Sequence, residues 1–286
     1  MKFAFLSDTH LAAAPMMFSQ QKGYPEKLNI LIKLLAEKLK DEDVSFVLHS
    51  GDIIDKTSPE NIIKASDIFS SLGVPVYLSL GNHDVTEPDS YDLWKKHGGF
   101  FFPNGEPEYT ISDGHLRIHV ISTHWEDKLY YWATRQDAHF LSDRVKQLQD
   151  ELNREPDAIH IICTHSPVFP VPAEQTGFDS PFHNPGSAFN NSVLSITDNC
   201  AGLKCVLSGH NHVNSCREYN GVYYVTASSF SETPFEFKIF DFDDKILSMK
   251  TVSLFQKTTF GYDYDFNRAF IQGREKDRSF NVPYKQ

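Results

Sequence analysis

The feature that most limits the fold is a pattern repeated five times: an apolar, strand-like run that ends in Asp, Asn or His. In one instance residues 74–80 lead directly into Gly81-Asn82-His83-Asp84. Glycine lets the backbone turn sharply, so the polar residues after it stand at the carboxyl end of the strand. Ligands of α/β sheets bind at that edge. The other polar segments are Ser7-Asp8-Thr9-His10, Gly51-Asp52-Ile53-Ile54-Asp55, Thr164-His165-Ser166-Pro167 and Ser208-Gly209-His210-Asn211-His212.

Helical patterns separate the strands of the first half. Apolar residues recur at helical spacing over residues 26–39. A second helix is predicted over residues 59–72, with Ser58 as N-cap, and a third near 90–97. Alternation of strand and helix predicts parallel strands joined by right-handed crossovers. Further along, we predict strands over 108–112 and 116–122 and a long helix over 135–153.

The second half has a different texture. Residues 168–190 are rich in Pro, Phe, Gly and Ser without a clear period, which is typical of a functional rim or a disordered loop. Short β-runs then follow, and they predict antiparallel hairpins that close a second sheet. These runs cover residues 213–219, 222–227, 236–241 and 246–254. The predicted fold class is therefore α/β, a sandwich of two sheets flanked by helices.

Length and composition predict one domain. The chain has 286 residues, 40% of them hydrophobic, which is enough for one large core, and no Pro/Ser/Gly-rich linker interrupts it. We predict a domain over residues 1–254 and a tail over 255–286 that packs back on it. A lid or a dimer arm, and with it a homodimer, is the alternative for the tail. The four cysteines have no Cys-x-x-Cys spacing and are expected to be buried thiols.

Charge and targeting signals restrict the partners. The formal net charge of −11 argues against nucleic acid as the main partner, because that binding depends on Lys and Arg at phosphates. A small anionic substrate remains compatible with this charge where metal ions reverse the local field. We find no targeting segment and no apolar run of transmembrane length, and we therefore expect a cytoplasmic protein without membrane contact.

The polar segments together offer mixed oxygen and nitrogen ligands without thiolate. Such a set suits Mn, Fe or Zn, rather than a Cys-rich structural zinc site. Seven groups are too many for one ion and about right for two, and paired cations are an established arrangement for displacement at phosphorus. We assign Asp52 as the bridge between them. The predicted metal ligands are Asp8, His10, Asp52, Asn82, His165, His210 and His212.

Taken in this order, the segments resemble the calcineurin-like metallophosphoesterases. The series of that family is Asp-x-His, Gly-Asp-x-x-Asp/Glu, Gly-Asn-His-Asp/Glu, a His after a strand, and Gly-His-x-His. Residues 5–212 contain all five in order. The resemblance implies a four-layer α/β/β/α sandwich. It also implies that Asp52 bridges two ions, one held by Asp8, His10 and His212 and the other by Asn82, His165 and His210.

The expected mechanism is hydroxide attack at phosphorus between the two cations, which also stabilise charge on the phosphoryl oxygens. His83 is our candidate general acid, with Asp84 holding the orientation of its ring. Asn82 is also a candidate for substrate binding. His124 follows a strand, as the predicted metal ligands do. We therefore predict that it contacts either the substrate phosphate or one of the metal ligands.

The motifs leave the substrate open. We expect a small phosphodiester or phosphomonoester, with a cyclic nucleotide as one candidate, since class III cyclic nucleotide phosphodiesterases resemble this chain. Aromatic residues of the rim segments, including Phe18, Phe178 and Phe182, could stack on a base. The alternatives are a nuclease of the same superfamily and a non-catalytic binding scaffold with the same fold.

Overall fold

The fold consists of two six-stranded mixed sheets with helices on their outer sides. The computed structural model describes residues 1–14, 20–125, 129–133, 137–243 and 245–283. Of His124 only the backbone belongs to this described part. The strands are β1 (Lys2–Leu6), β2 (Phe46–His49), β3 (Val76–Leu78), β4 (Tyr109–Asp113), β5 (Leu116–Val120), β6 (His124–Trp125), β7 (Ala138–His139), β8 (Ile159–Cys163), β9 (Leu203–Ser208), β10 (Ser215–Tyr219), β11 (Val222–Thr226), β12 (Glu236–Phe242), β13 (Ile246–Ser253) and β14 (Ser279–Pro283).

The α-helices are α1 (Leu28–Asp41), α2 (Pro59–Ser70), α3 (Ser90–His97), α4 (Ser142–Arg154), α5 (Ala173–Thr176), α6 (Ser187–Thr197) and α7 (Glu275–Arg278). Short 3-10 segments cover Pro25–Lys27, His83–Val85, Phe255–Lys257 and Phe266–Gln272. None of the helices in the described ranges is both long and apolar enough to cross a membrane.

Strand order explains how distant motifs meet. The first sheet has the order β14-β13-β12-β1-β2-β3, and the second has the order β10-β11-β9-β8-β5-β4. Strands β1, β2 and β3 run parallel, as do β5, β8, β9 and β11. Parallel strands present their carboxyl ends at one edge of a sheet, so the polar segments after β1, β2, β3, β8 and β9 can converge. The predicted α/β class with two mixed, helix-flanked sheets is confirmed.

The core is built largely from aromatic and aliphatic side chains of the sheets. Phe3 is fully buried, and its ring stacks on those of Phe46 and Phe240 with centroids 5.1 Å away in both cases. Burying one such ring stabilises the fold by about 1.5–3 kcal/mol. Because Phe3, Phe46 and Phe240 lie on β1, β2 and β12, this contact fixes the packing of the strand that carries the first polar segment.

Several local predictions hold and one helix is shorter than expected. Helix α3 has the predicted bounds, and Ser58 caps α2 by accepting a hydrogen bond from the N–H of Asn61 at 3.2 Å. The helix predicted over residues 135–153 begins only at Ser142. Residues 135 and 136 lie outside the described part, and Ala138–His139 instead pairs with His124–Trp125 as a small antiparallel ladder. Cross-strand pairing overrides local helical spacing there.

Two helices in or beside the loop region were missed. Residues 168–190 contain α5 and the start of α6, which runs from Ser187 to Thr197. Phe189, Val193 and Ile196 form the buried face of α6 at helical spacing. This apolar spacing could have predicted α6 from the sequence. Only Phe189 lies inside the Pro- and Gly-rich segment, however, so that segment shows no helical period when it is considered alone.

The predicted hairpins divide between the sheets. Strands β10 and β11 form a hairpin in the second sheet, as expected. Strands β12 and β13 instead join the first sheet, where β12 pairs antiparallel with β1. The prediction that all four runs close the second sheet was therefore wrong. Alternation of apolar and polar residues identifies a strand but not the sheet that accepts it.

Residues 274–283 take part in the sheet packing. Strand β14 pairs with β13 and forms an edge of the first sheet. The buried carboxylate of Asp277 accepts the N–H of Cys216 in β10 at 2.8 Å and also pairs with the guanidinium of Arg274. Arg278 pairs with buried Glu236 at 2.7 Å. These contacts connect residues 274–283 to both sheets.

Candidate metal centre

The polar segments adopt an uncommon backbone conformation. Five of the predicted metal ligands have positive φ angles in the left-handed region: Asp8 at 56°, His10 at 43°, Asp52 at 54°, His210 at 71° and His212 at 57°. Non-glycine residues in this region cost about 1–3 kcal/mol each and persist where the surrounding structure enforces them. The conformation turns the side chains sharply away from the strand direction. Such clustering at one place is typical of a functional site.

The first two segments are held together through their backbones. The N–H of Asp8 donates to the carbonyl of Gly51, and the N–H of His10 donates to the carbonyl of Asp52, both at 3.0 Å. These bonds are independent of any ion. The relative position of the two aspartates is therefore fixed by the fold itself.

A first cluster joins Asp8, His10 and His212, whose ligand atoms all lie within 4.8 Å of one another. The Nε2 atoms of His10 and His212 are 3.1 Å apart, and Nε2 of His212 is 3.3 Å from Oδ1 of Asp8. Burial alone would raise the pKa of Asp8, but the positive charge of His212 lowers this pKa below its usual range. A carboxylate therefore faces two imidazole nitrogens.

A second cluster joins Asp52, Asn82, His165 and His210. Nε2 of His165 is 3.1 Å from Oδ2 of Asp52 and 3.2 Å from Nδ1 of His210. The side-chain oxygen of Asn82 is 3.0 Å from that same Nδ1. Burial lowers the pKa of His210 to about 3, so its ring is neutral at physiological pH and has a nitrogen lone pair available.

Asp52 lies between the two clusters. Its Oδ2 atom is 3.1 Å from Nε2 of His165 and 3.9 Å from Nε2 of His10. Its Oδ1 atom accepts the backbone N–H of His83 at 2.8 Å, which fixes the plane of the carboxylate. Burial would raise the pKa of Asp52, but the charges of His165 and His83 hold the pKa well below its usual range. One carboxylate oxygen thus faces ligand atoms of both clusters.

Glycines allow the close approach of the segments. A Cβ atom on Gly51, which has φ of 110°, would lie 2.6 Å from Nδ1 of His165. A Cβ on Gly209 would lie 2.5 Å from Oδ2 of Asp8 and would also overlap Oγ of Ser7. The glycines of the Gly-Asp and Gly-His motifs are therefore steric requirements of the site.

We expect Gly209→Ala to reduce about a hundredfold the phosphoester hydrolysis that the sequence predicts, because displacement of catalytic groups by about 1 Å has effects of that order. The added methyl group must displace Ser7 or Asp8. Steady-state kinetics with metal titration measures the effect. Gly261→Ala is the control, since no heavy atom lies within 4 Å of the position that its Cβ would take. Equal turnover of both variants would contradict the steric argument.

Two groups behind the ligands orient the imidazoles. Nδ1 of His165 is 2.9 Å from the carbonyl oxygen of Ser50, which places the Nδ1 proton there and directs Nε2 toward Asp52. Nδ1 of His212 is 2.5 Å from Oε1 of Glu232. Burial would lower the pKa of His212, but Glu232 and Asp8 raise it well above its usual value. Sequence reasoning missed Glu232, which follows no motif and lies between two strands.

We expect Glu232→Gln to weaken metal binding about 10–100-fold, the usual effect of losing a carboxylate partner of a ligating histidine. The second oxygen of Glu232 accepts the N–H groups of Gln20 and Gln21 at 3.0 and 2.8 Å, so the carboxylate is held from both sides. Competition with a chelator measures the affinity. Glu37→Gln, at an exposed site on α1, is the control. Unchanged affinity in Glu232→Gln would remove the assigned role.

Asp84 does not have the role predicted for it. Its two carboxylate oxygens accept four backbone N–H groups at 2.7–3.2 Å, so it holds the turn after β2 rather than the ring of His83. The four donors are the N–H groups of Asp52, Ile53, Ile54 and Gly81. The orientation of His83 instead depends on Asp55, whose carbonyl oxygen lies 2.9 Å from Nδ1 of the ring. Buried backbone N–H groups need hydrogen-bond acceptors, and a carboxylate beside them accepts from these groups in preference to a neighbouring ring.

His83 itself lies at the edge of the first cluster. Its ring packs edge-on against that of His10, with centroids 4.8 Å apart, and its Nδ1 is 3.5 Å from Oδ1 of Asp55. The ring of Trp132 lies 5.3 Å away on another side. The predicted role of His124 stays a prediction, because its side chain lies outside the described part. Its neighbour Trp125 is buried, with its ring 5.7 Å from that of His210.

The donor set fits two metal cations. The ring nitrogens of His10 and His212 lie 3.1 Å apart, and those of His165 and His210 lie 3.2 Å apart. Each pair lies beside a carboxylate oxygen, as expected for side chains that share a cation. Nδ1 of His10 lies on the other side of the ring, 3.5 Å from Oδ1 of Asp55, so Nε2 is the nitrogen of His10 that faces the first cluster. Aspartate, asparagine and histidine without thiolate suit Mn, Fe or Zn. All seven predicted ligands lie in these two clusters.

Comparison with known proteins decides the family. The model of the calcineurin-like phosphoesterase family matches residues 1–214, which is most of the chain. The chain belongs to this family. Members of this dimetal-dependent phosphoesterase family share the two-sheet fold seen here, and the two clusters are the candidate sites for the ions.

Three relatives illustrate the similarity. A dimetal phosphatase from Danio rerio superposes with a TM-score of 0.69 at 17% identity, and the match covers 100% of this chain and 99% of that one. A "Probable cyclic nucleotide phosphodiesterase" of Psychrobacter arcticus is 21% identical over 71% of this chain and 68% of its own length. The DNA double-strand break repair protein Mre11 of Archaeoglobus fulgidus is 32% identical, but over 31% of this chain and 20% of its own length.

Proposed function

We propose that this chain is a phosphoesterase that hydrolyses a small phosphodiester or phosphomonoester with two metal ions of the Mn, Fe or Zn type. The observation that supports this most directly is the position of Asp52, whose Oδ2 faces ligand nitrogens of both clusters. Asp8, His10 and His212 would hold one ion, and Asn82, His165 and His210 the other. Membership of the family supports a hydrolase as the general class.

The bound ions would supply an activated water and a positive field for the phosphoryl oxygens. The chain supplies the proton for the leaving group. His83 lies beside His10, and the carbonyl of Asp55 keeps a proton on Nδ1, so the proton available for transfer is the one on Nε2. The carboxylate of Asp55 lies 3.5 Å from the same Nδ1, so the backbone and the side chain of one residue both contact this nitrogen.

The substrate class is supported by similarity and by charge. The relative from Psychrobacter arcticus favours a cyclic nucleotide among the small diesters. The similarity to Mre11 covers less than a third of this chain, and a net charge of −11 disfavours a DNA backbone. The cytoplasmic location and the homodimer stay predictions.

The test is hydrolysis by the Mn-reconstituted protein of bis-p-nitrophenyl phosphate, p-nitrophenyl phosphate and cyclic AMP, with metal content measured in parallel. Faster turnover of the diesters supports a phosphodiesterase, and faster turnover of the monoester supports a phosphatase. Bound metal without turnover of any ester would contradict the proposal and favour the binding scaffold. Nicking of plasmid DNA would favour the nuclease.

A further inference from the structure

Four aromatic side chains extend outward from the metal centre. The ring of His183 lies 6.4 Å from that of His210, and Phe182 packs edge-on against His183 at 4.3 Å. Phe178 and Phe270 continue the series, with centroids 5.3 Å apart, and Phe178 lies 5.8 Å from Phe182. We call these four residues, Phe178, Phe182, His183 and Phe270, the aromatic wall.

Two segments distant in sequence build the aromatic wall. Three of its residues come from the long segment after β8, and Phe270 comes from the 3-10 segment Phe266–Gln272 near the end of the chain. Phe182 and Phe270 pack against a small separate cluster of Val171, Val213 and Ile271. Val213 follows His212 directly. The wall is therefore anchored to the turn that carries two metal ligands.

Hydrogen bonds hold the aromatic wall in place. The backbones of Val171 and Phe182 exchange two hydrogen bonds of 2.9 Å, which closes the intervening loop. Nε2 of Gln175 donates to the carbonyl oxygens of Asn214 at 2.7 Å and Phe270 at 3.0 Å. One buried amide thus joins the loop, the metal-bearing turn and the last segment of the chain. A surface fixed in advance binds a flat group at a smaller entropic cost than a mobile loop does.

The outer part of the wall remains accessible. The side chain of Phe178 is 48% exposed, and Phe182, His183 and Phe270 are half-buried. Phe178 is therefore the member of the wall with the most surface open to a ligand. Aromatic rings with free faces bind flat rings by stacking or edge contacts.

The wall and the candidate acid lie at different ligands. His83 packs against His10, whereas the wall begins at His210. A substrate arm that lies along the wall is therefore not the arm whose oxygen His83 would protonate. A phosphomonoester has only one arm, so a second binding surface of this kind has a use only for a diester.

We propose that the aromatic wall binds a flat, aromatic arm of a phosphodiester, and that this is the arm retained after hydrolysis. The inference rests on the proposed phosphoesterase function and specifies its substrate: a diester with a nucleobase or another aromatic group on the retained side. It also assigns the segment 168–190 and Phe270 a role in specificity.

The test compares two diesters that release the same p-nitrophenolate, phenyl p-nitrophenyl phosphate and methyl p-nitrophenyl phosphate, with the Mn-loaded full chain. We expect kcat/KM to favour the phenyl ester about tenfold, and Phe178→Ala to abolish most of this preference. Phe266→Ala removes a ring that is 83% exposed in the same terminal segment as Phe270 and should keep the preference. Calorimetry with phenylphosphonate and methylphosphonate gives the same comparison without catalysis.

The outcomes distinguish a failure of the retained-arm assignment from a failure of the proposed phosphoesterase function. If Phe178→Ala left the ratio of the two kcat/KM values unchanged, whether or not both values fell, the retained-arm assignment would be wrong. Turnover of p-nitrophenyl phosphate alone would overturn it as well, while the phosphoesterase function would stand. Absence of turnover with every ester would reject the proposed function itself.

Discussion

Replacing Asp52 by asparagine should reduce phosphoester turnover by at least about a thousandfold. Asparagine keeps the size of the side chain and an oxygen that can accept the N–H of His83, so the turn should still form. What it removes is the negative charge on the oxygen that faces His165 at 3.1 Å and His10 at 3.9 Å. If Asp52 is shared by both cations as proposed, both positions should lose affinity, and catalysis by metal ions of this type is worth several kcal/mol.

The measurement combines metal content by mass spectrometry with kcat on bis-p-nitrophenyl phosphate. Asp150→Asn, on the exposed face of α4, is the matched control and should bind the same number of ions as the natural chain. Thermal unfolding of the metal-free proteins separates loss of ligand from loss of fold. An Asp52→Asn variant with two bound ions and full turnover would remove Asp52 as the bridge.

His83→Ala should lower turnover about 10²–10⁴-fold for esters with poor leaving groups, the usual range for loss of a general acid. The ring of His83 belongs to neither of the two ligand clusters, although it contacts His10 and forms a further group of potential ligand atoms with His10 and Asp55. The variant keeps all seven predicted ligands, so metal content should be retained. The loss should be much smaller with p-nitrophenyl esters, because p-nitrophenolate departs without a proton.

The measurement is a pair of kcat/KM ratios, variant to natural chain, for a phenyl and a p-nitrophenyl ester of the same phosphate. Asp55→Asn keeps the backbone carbonyl that bonds Nδ1 of His83 but removes the nearby charge, and it should show a smaller loss of the same kind. If His83→Ala kept full activity on the phenyl ester with metal bound, the proton donor would have to be another group.

Local sequence patterns were sufficient to predict the ligand set and parts of the helices. The ligand set was readable because each of its members follows an apolar strand, and the five strands involved are parallel within their sheets. Strand direction then brings the carboxyl ends together without any knowledge of loops. Capping by Ser58 and the bounds of α3 were equally local, since they depend on hydrogen bonds within a few residues.

Local reasoning failed where a side chain serves a distant partner. Asp84 follows His83 in sequence and was therefore assigned to it, but its oxygens meet N–H groups of the segment 52–54 and of Gly81. Glu232 supports His212 from twenty residues away, in a stretch without any pattern. The placement of β12 beside β1 likewise depends on which sheet has a free edge.

The sequence by itself determined the α/β class, the polar segments at the ends of strands and the seven residues that meet in two clusters. These depend on hydrophobic periodicity and on the short spacing of residues within each segment, which are local properties. Only the tertiary structure decided that Glu232 and Asp55 orient the imidazoles, and that Phe270 joins Phe178 and Phe182, next to the ring of His183 that contacts His210. Contacts between residues far apart in the chain arise from the packing of the sheets and loops, and no local pattern encodes them.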